Sequence, residues 1–178
     1  MGYKDQLVKA MEWLAEKEDT IFMGQSVKFS GNAIFNTLKS IPDKKKIELP
    51  VFEELQMGIS TGMALEGFIP ISCYPRFDFI LRACDQLVNH LDKFREMSDG
   101  KMLPKVIIRV AIGAKKPLDG GVQHTQDYTN AMREMLKDIN VILLNEPDEI
   151  VDIFKEAYLR KDGKSSLIIE WGDFYNDK

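Results

Sequence analysis

The chain has 178 residues, 44% of them apolar and 29% charged, with a net charge of −4. That length suits one domain with a full hydrophobic core, and the balance of residues suits a globular protein. The mild, mixed charge argues against a nucleic-acid surface, and no apolar run reaches the length of a membrane span.

The N-terminus, Met1 to Asp5, has no signal-peptide core, and Gln6 breaks the myristoylation pattern that Gly2 would open, so a cytoplasmic protein is the default expectation. Tyr3, Leu7, Ala10, Met11 and Leu14 recur at helical spacing over residues 3–17. Residues 20–24 read as a short buried strand ending in glycine, and 25–45 as a loop with a helical piece near Ala33 to Leu38. Lys44-Lys45-Lys46 is a short basic run, read as a solvated loop. Ile47 to Leu49 is the next strand and Glu53 to Glu66 the next helix, closed by Gly67. Gly58 and Gly62 lie one turn apart in it. Each costs about 1 kcal/mol of helix stability, which close packing by the sheet or by another subunit would offset.

Residues 68–74 form a strand whose Pro70 marks its start or an edge. A long helix comes next, from about Phe77 to Met97, with a broad apolar stripe. Cys73 in the strand and Cys84 in the helix read as small buried hydrophobes, and two cysteines make no disulfide framework. With only His90 and His124 there is no ligand spacing for a protein-built metal site. Strands at 105–112, 140–144 and 165–171 alternate with helices at 128–135 and 148–160. Short continuous apolar strands separated by helices indicate an α/β fold: a single three-layer αβα domain with a doubly wound, mostly parallel sheet. Ligands of such sheets meet the carboxyl ends of the strands.

Three features stand at those ends, and each has a bland reading. Glu53 is either a ligand-facing acid or an ordinary first-turn glutamate, which the helix N-terminus favours anyway. Phe77 and Phe79 either frame a flat ligand or anchor the core. The Gly113–Asp127 loop is either an active-site loop or a surface loop, and its His124 either a proton carrier or an inert histidine.

The ordered set of motifs resembles the pyrimidine-binding domain of thiamine-diphosphate enzymes, nearest to the beta subunit of the decarboxylating component of 2-oxo acid dehydrogenases. Transketolase and deoxyxylulose-phosphate synthase are more distant. The resemblance rests on Ile21-Phe22-Met23-Gly24, on Leu49-Pro50-Val51-Phe52-Glu53, and on the small residues Gly58, Gly62, Ala64 and Gly67. It continues through Phe77-Asp78-Phe79-Ile80, Asp85-Gln86-Leu87-Val88-Asn89, Met97-Ser98-Asp99-Gly100 and Gly121-Val122-Gln123-His124-Thr125-Gln126. It covers about residues 20–172.

The resemblance implies that Glu53 hydrogen-bonds a ring nitrogen of the cofactor's aminopyrimidine, with Val51 and Phe79 also at the cofactor. Glu53 and His124 are the implied catalytic residues, His124 facing the substrate. It implies one pyrimidine-binding domain over 1–178. No diphosphate-binding domain is expected, since no Gly-Asp-Gly with a distal Asn occurs, and no transketolase-type C-terminal domain. Thiamine diphosphate would be shared with a separate diphosphate-binding subunit carrying the magnesium, in an α2β2 assembly acting on a 2-oxo acid or a ketose. Gln25 stands where the family often has an acid, Phe52 where it has Ser, and Glu54-Leu55-Gln56 where it has Ala/Met-Gly-Phe. These departures favour the alternative, a non-catalytic scaffold or regulatory module that keeps the fold. An unrelated flavodoxin-like regulator is a third reading.

Overall fold

Six short strands pair in one sheet whose order is β2-β1-β3-β4-β6-β5, every neighbouring pair parallel. The computed structural model describes residues 2–116 and 119–176, so Pro117 and Leu118 of the glycine-rich loop lie outside the described residues. The strands are β1 (Thr20–Gly24), β2 (Lys46–Glu48), β3 (Ile69–Tyr74), β4 (Ile107–Ile112), β5 (Asn140–Leu143) and β6 (Ser166–Trp171). The helices are α1 (Tyr3–Ala15), α2 (Glu53–Leu65), α3 (Phe77–Ile80), α4 (Phe94–Met97), α5 (Thr129–Met135) and α6 (Ile150–Leu159). The sheet is wholly parallel, which sharpens the expected mostly parallel one.

Side chains alternate across each strand, and the two faces build two cores. Ile71, Cys73, Ile107, Ala111 and Ile168 face one way, with α1, α6 and the 3-10 turn Ile34–Thr37. Tyr74, Ile108, Val110, Leu167 and Ile169 face the other, with α2, α3 and α5. This is the three-layer arrangement expected of continuous apolar strands. No described helix is long and apolar enough to cross a membrane.

Two expectations need correction, and two open alternatives narrow. The helix over Phe77–Met97 is not continuous: a 3-10 turn (Leu81–Ala83), a π-helical stretch (Asp85–His90) and another 3-10 turn (Leu91–Lys93) separate α3 from α4. A π-helical turn shifts register and re-aims the residues on its C-terminal side. Here it accompanies the turning inward of Asp92, whose carboxylate accepts the backbone N–H groups of Lys137, Asp138 and Ile139 at 2.9–3.1 Å. Of the two readings of Pro70, the start of the strand holds and the edge does not, because β3 is a central strand. Pro70 sits at the second residue, opposite Ile21 of β1, and pairing with β4 begins only at Ile71. Its missing N–H therefore falls before the β4 ladder starts. The basic run is not a solvated loop throughout, because Lys46 is buried and ion-paired to Asp43 at 3.0 Å. Lys45 donates to the carbonyls of Lys17, Glu18 and Thr20, capping the chain ahead of β1. Nor does the sheet cover the two helix glycines. Gln56, Met57, Ser60, Thr61 and Ala64 are the buried residues of α2, a Cβ at Gly58 would meet only Gln86, at 3.7 Å, and Gly62 has nothing within 4 Å.

Candidate functional site

The carboxyl ends of β1 and β2 are tied together by a carboxylate that sequence reasoning passed over. Glu48, the last residue of β2, accepts the backbone N–H groups of Ser26, Val27 and Lys28 at 2.5, 2.9 and 2.8 Å. Ser26 adopts φ +55°, so the loop after β1 curls its amides around this anion. Leu49 then donates to the Gly24 carbonyl at 3.0 Å, and the chain turns through Pro50, Val51 and Phe52 into α2.

Glu53 opens α2 and is partly exposed. The buried hydroxyl of Tyr74, at the end of β3, donates to the Glu53 carbonyl at 3.2 Å and pins the helix start to the sheet. Burial pushes the Tyr74 phenol well above its ordinary range, and the Glu53 carboxylate adds to the rise. Val51 is 68% and Phe52 54% exposed, and Leu55 one turn on is also exposed. Val51, Phe52, Glu53 and Glu54 share a depression of about 50 Å³ with Arg82. The packing of α2 on the Leu81–Ala83 turn delivers that arginine.

The second cluster is built by the residues after β3 and the glycine-rich loop. Phe77 is fully buried and meets Tyr128 edge to face at 5.6 Å, so it is a core anchor. Phe79 is partly exposed and meets the His124 ring edge to face at 5.5 Å. Arg76 Nη1 donates to the carbonyls of Gly113 (3.2 Å) and His124 (2.8 Å), which ties the loop to the end of β3. Asp78 Oδ1 accepts from Gln126 at 3.4 Å. Burial raises the Tyr128 phenol, and the neighbouring Asp78 carboxylate raises it further. Asp78 Oδ2 and His124 Nδ1 are buried with no hydrogen-bond partner among the described residues. Two orphaned polar atoms in one cluster suit a ligand that supplies both a donor and an acceptor.

The structure thus joins Glu53 to Val51 and Phe79 to His124, on neighbouring elements at one end of the sheet. Arg76 and Asp78 flank the phenylalanines in a motif already marked by the sequence, whereas Glu48 and Arg82 give no sequence signal. Gln56 does not face this surface: it is buried, and its Nε2 donates to Ser72 Oγ and the Cys73 carbonyl, both at 3.0 Å. Among the described residues no group of three or more His, Cys, Asp or Glu is placed to hold a metal ion.

No protein-family model matches the chain. Individual proteins do. The chain is 32% identical over 133 residues to the mitochondrial pyruvate dehydrogenase E1 component subunit beta of Caenorhabditis elegans, covering 72% of this chain and 37% of that protein. It is 25% identical over 151 residues to the 3-methyl-2-oxobutanoate dehydrogenase subunit beta of Mycobacterium tuberculosis, covering 81% and 41%. The chain therefore spans less than half the length of these relatives. Among solved structures, a transketolase from Campylobacter jejuni superimposes with a TM-score of 0.72 at 16% identity, covering 97% of this chain and 26% of that one. A split gene transketolase, described as an inactive beta4 tetramer, superimposes with a TM-score of 0.60 at 16% identity, covering 95% and 49%.

Proposed function

We propose that this chain, a homologue of 2-oxo acid dehydrogenase beta subunits with the transketolase-like pyrimidine-binding fold, is the pyrimidine-binding half of a two-chain thiamine-diphosphate enzyme. The observation that carries the reading is the partly open Glu53 at the carboxyl edge of the sheet, set in an exposed apolar ledge of Val51, Phe52 and Leu55. A chain on its own gains nothing from such a ledge, and a site shared with a second chain accounts for it.

The residues present fit an aminopyrimidine, a flat group with ring nitrogens that accept and an exocyclic amine that donates. Phe79 and Val51 offer apolar surface to its ring, and the unpartnered Asp78 Oδ2 and His124 Nδ1 supply polar atoms in want of partners. Thiamine diphosphate, when bound, supplies the electron sink for breaking a carbon–carbon bond beside a carbonyl. Glu53 would present its carboxylate to a ring nitrogen of the bound group, as the acid–base group of the site. The Tyr74 hydroxyl fixes the backbone of Glu53, so the acid is aimed by the sheet and not by a loop. Phe79 packs edge to face on His124 and holds the imidazole on the substrate side, where it positions the substrate or passes a proton. The diphosphate and its magnesium belong to the partner subunit, the minimal assembly is an α2β2 heterotetramer, and the substrate is a small 2-oxo acid or a ketose.

The test is co-expression with a diphosphate-binding chain, followed by thiamine-diphosphate titration and 2-oxo acid turnover. Glu53→Gln should lower kcat by at least about 100-fold, the usual range for a general acid–base group, while the mass of the complex stays unchanged. Full activity in Glu53→Gln would overturn the catalytic assignment, and a parent complex that neither binds thiamine diphosphate nor turns over would favour the scaffold reading.

A further inference from the structure

The two outer strands of the sheet are built differently. β2, beside Glu53, is three residues long and carries Lys46 and Glu48, whose carboxylate is spent on the loop after β1. β5, at the far side, reads Asn140-Val141-Ile142-Leu143, with no charge and no proline. Among the described residues no strand pairs with its outer side. Asn140 N–H donates to the Ser165 carbonyl at 3.0 Å and Leu144 N–H to the Ile169 carbonyl at 2.9 Å, so these two residues turn their main chain toward β6. Val141 and Leu143 alternate with them and point their N–H and C=O groups off the sheet. Unpaired main chain of this kind is a template for another strand, and a charge or a proline on the strand is the usual guard against it. β5 has neither guard.

The ends of β5 carry opposite charge. Lys137 precedes it, and α6 returns the chain to the same amino end, where Arg160, Lys161 and Lys164 follow. Lys137, Arg160 and Lys164 surround a depression of about 170 Å³ whose one carboxylate, Asp138, already holds Arg95 and Lys164. At the carboxyl end the chain runs Asn145-Glu146-Pro147-Asp148-Glu149 into α6. Lys137 and Lys161 at one end, and Glu146, Asp148 and Glu149 at the other, are exposed and make no ion pair among the described residues. A second copy turned about a two-fold axis normal to the sheet lays its own β5 antiparallel beside this one. The basic end of each copy then meets the acidic end of the other, whereas a parallel neighbour would set like charges together. A patch that complements itself in this way is what a closed two-fold contact requires.

We propose that β5 is a self-association strand: two copies of this chain pair β5 against β5, antiparallel, and join their six-stranded sheets into one. With the axis at Ile142, Val141 of each copy stands opposite Leu143 of the other and exchanges both main-chain bonds with it. The main chain supplies the hold, and the charges select the antiparallel orientation. The contact goes beyond the thiamine-diphosphate reading and does not depend on Glu53. β5 and β2 are the opposite outer strands, so self-pairing leaves the Val51–Leu55 ledge and the glycine face of α2 free for a chain of another kind.

The experiment is sedimentation equilibrium of the full chain alone, with amide hydrogen exchange for location. A monomer–dimer equilibrium in the micromolar range is expected for so short a strand, weakened by salt. The Val141 and Leu143 amides should be protected in the dimer and exchange freely in the monomer. Lys137→Glu with Lys161→Glu makes both ends of β5 acidic. Glu146→Lys with Asp148→Lys and Glu149→Lys makes both ends basic. Each variant should dimerise about 10-fold more weakly than the parent, through lost pairs and new repulsion. An equimolar mixture of the two should recover a dimer of one copy of each, a rescue that no folding defect can produce. A chain that stays monomeric well above micromolar concentration, a dimer in which the Val141 and Leu143 amides still exchange freely, or a mixture that recovers nothing would each overturn the proposal. Protection of β5 only in a complex with a diphosphate-binding chain would assign the strand to that partner and overturn it too. The chain is measured without cofactor, so the outcome is readable whatever happens to turnover.

Discussion

Glu170 and Glu53 are both carboxylates of the sheet's carboxyl end, and their surroundings are opposite. Glu170, on β6, is fully buried and receives Arg109 Nε at 2.6 Å, Arg109 Nη2 at 2.9 Å and the Tyr175 hydroxyl. Arg109 also reaches Thr37 Oγ1 at 3.2 Å and lies over the Phe154 ring. Burial alone would weaken the Arg109 charge, but Glu170 holds it more firmly than usual. The same burial pushes the nearby Cys73 thiol up to about 11, which keeps it unreactive, as its place in a strand suggested. Glu53 has no ion pair among the described residues and stands partly open on an apolar ledge. A carboxylate given its donors within the chain locks the fold. One left open is available to a ligand, and that difference separates the structural half of the edge from the half proposed to be functional.

The comparison breaks first at the buried pair. Removing one partner leaves an uncompensated charge inside the α1/α6 layer, so Glu170→Gln should cost about 3–5 kcal/mol of stability in urea unfolding. Replacing both partners, as Arg109→Met with Glu170→Leu, should recover most of that loss, because well-packed apolar pairs match buried ion pairs in stability. The corresponding Glu53→Gln change should move stability by no more than about 0.5 kcal/mol. Equal costs at the two glutamates would mean that Glu53 is structural too.

Asp92 is the intermediate case: buried like Glu170, but served by backbone. Burial would raise its pKa, yet Lys93 and the three N–H groups of 137–139 overcome that and leave it below the ordinary carboxylate range. Because the folded value lies below the unfolded one, the stabilisation is fully present above the unfolded pKa of about 3.9 and is lost as the pH falls through the folded value. Asp92→Asn should cost about 1–3 kcal/mol near neutrality and flatten this part of the acid-denaturation profile. An unchanged profile would show that the π-helical turn does not depend on this carboxylate.

The elements of this fold were legible because their signals are local. Apolar runs such as Val106 to Ile108, the first-turn acids of α2 and its closing Gly67 all report on their own segments. The chain-order match placed Glu53, Phe79 and His124, and the structure puts the last two in direct contact. The rest depends on partners far apart in sequence. Glu48 meets residues 20–22 positions away and Asp92 residues 45–47 positions away. A pattern of single residues carries no record of such pairings, so neither Glu48 nor the break in the helix after Phe77 could be read. The Arg109–Glu170 pair is similar: in a buried strand, an isolated arginine announces itself only once its glutamate, 61 residues on, is placed beside it.

The smallest expected effect tests whether the open half of the edge is covered in the working protein. Gly62 is exposed in the interior of α2, its φ is not positive, and a Cβ there would meet nothing within 4 Å. For the chain alone, Gly62→Ala should therefore stabilise by about 0.5–1 kcal/mol, through the loss of glycine's unfolded-state freedom and the gain in helix propensity. Leu55, Gly58, Ile59 and Gly62 recur at helical spacing on the α2 surface that begins at Glu53. If the second chain packs closely on that surface, the added methyl should weaken assembly while the isolated chain becomes more stable. Urea midpoints for the chain and sedimentation of the complex separate the two effects. A variant that gains stability alone and assembles as before would confine the docking surface to the Val51–Leu55 ledge and exclude the glycine face from it.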